Sequence, residues 1–124
     1  MKTILIADDD RDIRSVFGMR LEACKYRLLE AETGLAALQL AKSERPDLVV
    51  LDRNLPGIDG MEVMQQLRED QATAALPVII VSGMCETSEI EEGLRLGAYA
   101  YLVKPVSLNN FCEIVRAALG DGPA

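Results

Sequence analysis

The sequence predicts an α/β fold of five βα units around a parallel sheet. Short apolar runs alternate with longer segments whose apolar residues recur at helical spacing. Three of those runs, Ile-Leu-Ile-Ala, Leu-Val-Val-Leu and Val-Ile-Ile-Val, are almost unbroken aliphatic stretches. Strands covered by helices on both faces have that character. At 124 residues the chain has room for one core and one domain of ordinary size.

The elements follow in order. A first strand is expected over Thr3–Ala7, with Asp8, Asp9 and Asp10 leading into a helix whose apolar positions are Ile13, Val16, Phe17, Leu21 and Cys24. Tyr26–Ala31 forms the second strand, and its mixed-in charge suits a sheet edge. The second helix runs from about Leu35 to Ser43 and stops before Pro46, because a proline pushes its predecessor out of the helical region. Leu48–Leu51 is the third strand. A loop with turn residues at Pro56, Gly57 and Gly60 then leads to a third helix over about Met61–Glu69. The fourth strand is Val78–Val81, and the fourth helix, about Thr87–Leu96, is closed by Gly97. The fifth strand is Ala100–Val103. The last helix starts at Ser107 as N-cap, with Val106 and Phe111 placed for a hydrophobic staple and Phe111, Ile114, Val115 and Ala118 facing inward. Residues 1–119 then make the domain, and 120–124 a tail or the start of a linker.

Composition excludes several classes. Nearly half the residues are hydrophobic and only 4% aromatic, so the core is aliphatic. A net charge of −7 argues against a nucleic-acid surface, which needs clustered Lys and Arg to displace counterions. Cys24, Cys85 and Cys112 are an odd set without CxxC spacing, so they read as reduced thiols, with Cys24 and Cys112 on buried helix faces. Histidine is absent, which removes imidazole acid/base chemistry and imidazole metal ligation. No signal-peptide pattern and no membrane-length apolar run occurs, so a cytoplasmic location is expected.

Polar residues gather at the strand ends. Asp8 and Asp9 follow the first strand, Asp52 the third and Ser82 the fourth, while Lys104 follows the fifth and precedes Pro105. In a parallel α/β sheet the carboxyl ends of the strands, beside the topological switch point, form the binding edge. Taken alone, three acids between strand and helix are ordinary N-caps, and Asp10 reads as one. Asp52 changes the balance. Like charges brought ~4 Å apart repel by roughly 4 kcal/mol at an effective dielectric near 20, so the cluster calls for a cation or shifted pKa values. With oxygen donors only, and few of them, Mg²⁺ fits better than a Ca²⁺ cage. Lys104 adds a counter-charge and Ser82 a hydroxyl.

On these residues the chain resembles a receiver domain of the two-component response regulators, from about Lys2 to Leu119. The segment Leu-Asp-Arg-Asn-Leu-Pro-Gly-Ile-Asp-Gly is similar to that family's phosphoacceptor segment, supported by Ile-Leu-Ile-Ala-Asp-Asp-Asp and Tyr-Leu-Val-Lys-Pro. The resemblance implies a flavodoxin-like three-layer, doubly wound sheet of strand order 2-1-3-4-5. It implies Asp52 as the residue that takes the phosphoryl group, with Lys104 and Ser82 contacting its oxygens. Mg²⁺ would be held by Asp8, Asp9, Asp52 and the carbonyl of Asn54, with Asp8 acting through a metal-bound water. Ser82 and Tyr101 would form the switch, and the peptide before Pro105 would be cis. The implied partners are a sensor histidine kinase or histidine phosphotransfer protein, a downstream protein or fused output domain, and, after phosphorylation, a second copy of the chain. Such a domain catalyses only its own phosphorylation and dephosphorylation.

Two positions depart from the usual pattern. Ser82 stands where Thr is commoner, which keeps the hydroxyl but loses the methyl that restricts it, and Gly83 follows where a small residue such as Ala is usual. Met84 occupies a position that is often polar. The alternative reading is an aspartyl-nucleophile phosphohydrolase of the dehalogenase-like type, since Asp8 and Asp10 form a DxD after the first strand. Arg11 and Asp12 follow where that family uses Val or Thr, and the chain is short for such an enzyme. A dinucleotide-binding module is disfavoured, because the first βα turn lacks glycine and is strongly anionic.

Overall fold

The computed structural model describes residues 1–122. Five strands, β1 (Thr3–Ala7), β2 (Arg27–Ala31), β3 (Leu48–Leu51), β4 (Val78–Ser82) and β5 (Ala100–Val103), alternate with five helices. These are α1 (Arg11–Ala23), α2 (Gly34–Glu44), α3 (Gly60–Glu69), α4 (Thr87–Arg95) and α5 (Leu108–Ala118). All strand pairings are parallel, in the order β2-β1-β3-β4-β5. Both the (βα)5 architecture and the strand order match expectation. No helix among the described residues is long and apolar enough to cross a membrane.

Period-two alternation divides the core between the sheet faces. Leu5, Ala7, Val49, Leu51, Val78 and Ile80 pack on α2 and α3 through Ala37, Leu38, Ala41, Val63, Met64 and Leu67. Ile4, Ile6, Leu48, Val50, Ile79 and Val81 pack on α1 and α5. There Phe17 and Phe111 stack with ring centroids 4.4 Å apart. The three aliphatic strands β1, β3 and β4 are buried throughout, whereas β2, with Glu30 exposed, lies at the edge.

Differences from the sequence reading are local. Tyr26 precedes β2 instead of opening it, because Lys25 adopts a left-handed φ of 70° and turns the chain just before. β4 runs one residue further, to Ser82. Helix α4 stops at Arg95, with Leu96 as its cap and Gly97 left-handed at φ 92°. In α1, Val16 is 47% exposed while Arg14 is buried, because the inward face is centred on Phe17, Gly18 and Leu21. Cys112 is buried and Cys24 only half-buried at the cap of α1. The predicted caps Asp10 and Ser107 are in place: Asp10 accepts from the Asp12 and Ile13 N–H groups, and Ser107 from Asn110.

Beyond α5 the chain contacts residues near the start of the domain. Asp121 accepts hydrogen bonds from the Lys2 ammonium at 2.6 Å and from the Tyr26 hydroxyl at 2.6 Å. The rest of the expected tail, residues 123–124, lies outside the described residues.

Candidate functional site

The site forms where β1 and β3 lie side by side while their following helices depart to opposite faces of the sheet. The Asp52 N–H donates to the Ala7 carbonyl at 2.9 Å and the Asp8 N–H to Ala31 at 3.1 Å, so sheet pairing continues to the mouth of the pocket. This continuation fixes both carboxylates. Asp8 and Asp52 are buried, at 3% and 6% exposure, and Asp9 is exposed. The three acids each offer a carboxylate oxygen, all within 4.8 Å of one another.

Lys104 bridges the pocket. Its Nζ lies 2.9 Å from Asp8 Oδ2 and 2.9 Å from Asp52 Oδ2. Its own N–H donates to the Ser82 carbonyl, and the Lys104–Pro105 peptide is cis. Burial pulls the ammonium pKa down, but the hydrogen bonds and charges of Asp52 and Asp8 outweigh it and leave it above its ordinary value. Burial pushes the Asp8 carboxyl up. The Asp10 N–H and Lys104 oppose that rise and the Asp52 charge adds to it, leaving Asp8 above the usual range. One ammonium therefore leaves the pocket negative. The Asn54 N–H donates to Asp52 Oδ1 at 3.0 Å, so Asn54 reaches the site through its backbone.

The expected switch pair meets at one residue, Met84. Ser82 is fully buried, and its Oγ accepts from the Met84 N–H at 3.1 Å. Tyr101 is half-buried, and its hydroxyl donates to the Met84 carbonyl at 2.6 Å. Helix α4 comes directly onto this ring, for a Cβ at Gly93 would lie 2.9 Å from Tyr101 Cδ2 and 2.7 Å from Ile80 Cδ1. Nothing larger than glycine fits there without displacing the ring. Gly60 has the same role at the start of α3, where a Cβ would stand 2.5 Å from the Asp52 carbonyl.

Two arginines that the sequence reading passed over brace the site. Arg14, 6% exposed, donates to the Asp8 carbonyl at 2.7 Å and pairs with Glu30 and Glu32. Arg53, 8% exposed, reaches from the end of β3 to α4. Neither is signalled by hydropathy, because a charge between apolar positions reads as a solvated face. The polar step directly after the third strand was the only local cue to Arg53.

These features define a doubly wound α/β protein with an acidic, lysine-bridged pocket at the switch point of its sheet. A family model described as the response regulator receiver domain matches residues 4–116, and the chain belongs to that family, the receivers of two-component signalling. It is 34% identical to the polar-differentiation response regulator DivK of Brucella anthropi, over 97% of this chain and 98% of that one. Among solved structures it is similar to the Vibrio cholerae chemotaxis protein CheY4, with 26% identity and a TM-score of 0.89, covering 96% of this chain and 99% of that one. A CheY-like receiver domain protein from Methanospirillum hungatei gives 28% identity and a TM-score of 0.90, covering 98% and 95%.

Proposed function

We propose that this receiver, its domain spanning residues 1–119, takes a phosphoryl group on Asp52 from a phosphohistidine of a sensor kinase or histidine phosphotransfer protein. The observation that carries the reading is the Lys104 ammonium, 2.9 Å from both Asp8 and Asp52. An ammonium shared by two buried carboxylates at a strand-end pocket is placed to neutralise charge on a phosphoryl group arriving there. Lys104 sits on Asp52 Oδ2 and the Asn54 N–H on Oδ1, so the plane of the carboxylate is held before the donor docks.

In the transfer, a carboxylate oxygen of Asp52 attacks phosphorus in line as the phosphorus–nitrogen bond breaks. The partner's imidazole leaves with that electron pair. Lys104 stays with the phosphoryl oxygens and offsets their charge. Ser82 then turns inward to donate its hydroxyl to one of them, and that rotation draws its Oγ away from the Met84 N–H. The Met84 peptide shifts, the Tyr101 hydroxyl loses its present acceptor, and the α4-β5-α5 surface is biased toward a second arrangement. Hydrolysis later reverses the modification, so the domain catalyses only its own phosphorylation and dephosphorylation.

The pocket suits Mg²⁺ on donor chemistry: three converging carboxylates, no soft or imidazole ligand, and a negative charge that one lysine leaves uncompensated. Asp9, Asp52 and the Asn54 carbonyl would hold it, with Asp8 acting through a water. When bound it would supply positive charge to the phosphoryl oxygens. A cytoplasmic location, a downstream protein or fused output domain as recipient, and a homodimer of the phosphoform complete the reading.

The test is incubation of the wild type and Asp52→Asn with acetyl phosphate and Mg²⁺, read by intact-protein mass. The expected result is one phosphoryl adduct on the wild type and none on a folded Asp52→Asn. A stable adduct on the variant refutes the assignment. Sustained multiple-turnover release of phosphate from small esters would favour the phosphohydrolase alternative.

A further inference from the structure

We propose that Arg53 is a positioning residue that ties the phosphoacceptor loop to α4 and holds this helix in its resting pose, by a route separate from the Ser82–Tyr101 pair. The coupling rests on the reading of Asp52 given above; the tie itself does not.

Arg53 follows Asp52 directly, and its backbone is pinned. The Gly60 N–H donates to the Arg53 carbonyl at 2.8 Å, and a Cβ at Gly60 would lie only 2.6 Å from Arg53 Cα. With α3 this tightly applied, residues 52 and 53 move together or not at all. The side chain leaves in the direction of α4. Its Nη1 donates to the Glu89 carbonyl at 2.6 Å, and its Nη2 pairs with the Glu92 carboxylate at 2.5 Å. One planar cation thus spans a full turn of α4, a bidentate geometry that lysine cannot reproduce.

Helix α4 is seated so lightly that this tie matters. Gly93 is its one buried residue, so little apolar surface anchors the helix. The Glu89 side chain is already engaged in accepting from the Glu86 N–H at the start of the helix. Charge-assisted bonds from a mostly buried guanidinium therefore supply a large share of what keeps α4 on the sheet. A change at the acceptor backbone is passed to α4 through Arg53, and by linkage a partner that shifts α4 acts back on the acceptor loop.

Hydrogen exchange on the full chain, without phosphodonor, tests the tie. In Arg53→Ala the amides of residues 90–96 should exchange about tenfold faster than in wild type, as expected for loss of a charged hydrogen-bond pair. Arg53→Lys and Glu92→Gln should fall between, while amides of β1 and β3 keep their protection. The same acceleration is expected in an Asp52→Asn background, which separates this result from the acceptor reading. Unchanged α4 exchange in Arg53→Ala, or acceleration spread evenly over the chain, overturns the proposal. If Arg53→Ala does not fold, Glu92→Gln decides in the same way.

Coupling is read by adding Mg²⁺ and beryllofluoride, a phosphoryl mimic. The wild type should show altered α4 exchange, and Arg53→Ala at most half that response. A full-sized response in Arg53→Ala overturns the coupling. Absence of any response in the wild type overturns the acceptor reading and the coupling with it, whereas the tie stands on the phosphate-free experiment.

Discussion

The hydroxyl of Tyr101 closes onto the backbone carbonyl of Met84 at 2.6 Å, on the same residue whose N–H is taken by Ser82 Oγ. Two side chains from adjacent strands, β4 and β5, thus hold one residue of the β4–α4 loop from its two backbone groups. The resting loop is fixed by these bonds, and rotation of Ser82 toward a phosphoryl acceptor would disturb both.

Shared attachment predicts non-additive effects. Tyr101→Phe and Ser82→Ala each remove one hydrogen bond and should each destabilise the domain by about 1 kcal/mol. The double variant should lose less than the sum, by about 0.5 kcal/mol or more, because the second deletion acts on a loop already released. Urea denaturation of the four proteins measures this, and strict additivity would show that the two bonds act independently.

The negative pocket predicts stabilisation by metal. Adding Mg²⁺ should raise the melting temperature of the wild type by mass action on the folded state, and chelation should reverse it. Asp9→Asn removes an exposed carboxylate from the cluster and should reduce that rise without lowering the metal-free melting temperature. Lys104→Ala leaves Asp8 and Asp52 facing each other uncompensated. It should be less stable without metal and gain more from Mg²⁺ than the wild type does. Thermal melts across a Mg²⁺ titration decide both points.

The (βα)5 plan was legible because alternation and helical spacing are local signals, and β1, β3 and β4 carry them without interruption. Four strand ends likewise exposed Asp8, Asp9, Asp52, Ser82 and Lys104, since one topology brings all such ends to one edge. Strand order came through the resemblance, because hydropathy does not say which buried strands are neighbours. Arg14 and Arg53 stayed hidden for a physical reason: their partners lie elsewhere in the chain, at Asp8, Glu30, Glu89 and Glu92, and nothing local marks an arginine as desolvated. Asp121 escaped for the same reason, as its anchors are Lys2 and Tyr26. Gly60 read as a turn residue and Gly93 drew no notice inside its helix, although what requires them is the Asp52 backbone and the Tyr101 ring.

The Tyr26–Asp121 contact carries a pH prediction. Burial, then the hydrogen bond and charge of Asp121, push the Tyr26 hydroxyl from 10.0 up to about 12. The folded protein therefore holds its proton more tightly than the unfolded chain. The contribution to stability is fully present below pH 10 and is lost as pH rises through about 12. The denaturation midpoint of the wild type should fall across that window more steeply than that of Tyr26→Phe, which keeps the ring and loses the titration. Equal slopes would show that Tyr26 ionises freely.

Met84 carries a prediction about the lifetime of the phosphoform. Its side chain is half-buried, and its backbone is the point on which Ser82 and Tyr101 converge. Hydrolysis requires a water to approach phosphorus in line, opposite the Asp52 oxygen, and an apolar side chain beside the loop disfavours an ordered water there. Glutamate at this position would offer an acceptor that orients such a water, so Met84→Glu should shorten the lifetime of the phosphoform by about tenfold, less than the roughly 10²–10⁴-fold of a fully positioned acid/base group. Met84→Leu preserves the cover and should leave the lifetime unchanged, which separates polarity from loop disturbance. Loss of phosphoprotein over time after removal of the phosphodonor gives the rate, and an unchanged or slower rate in Met84→Glu would show that the methionine does not shield the acyl phosphate.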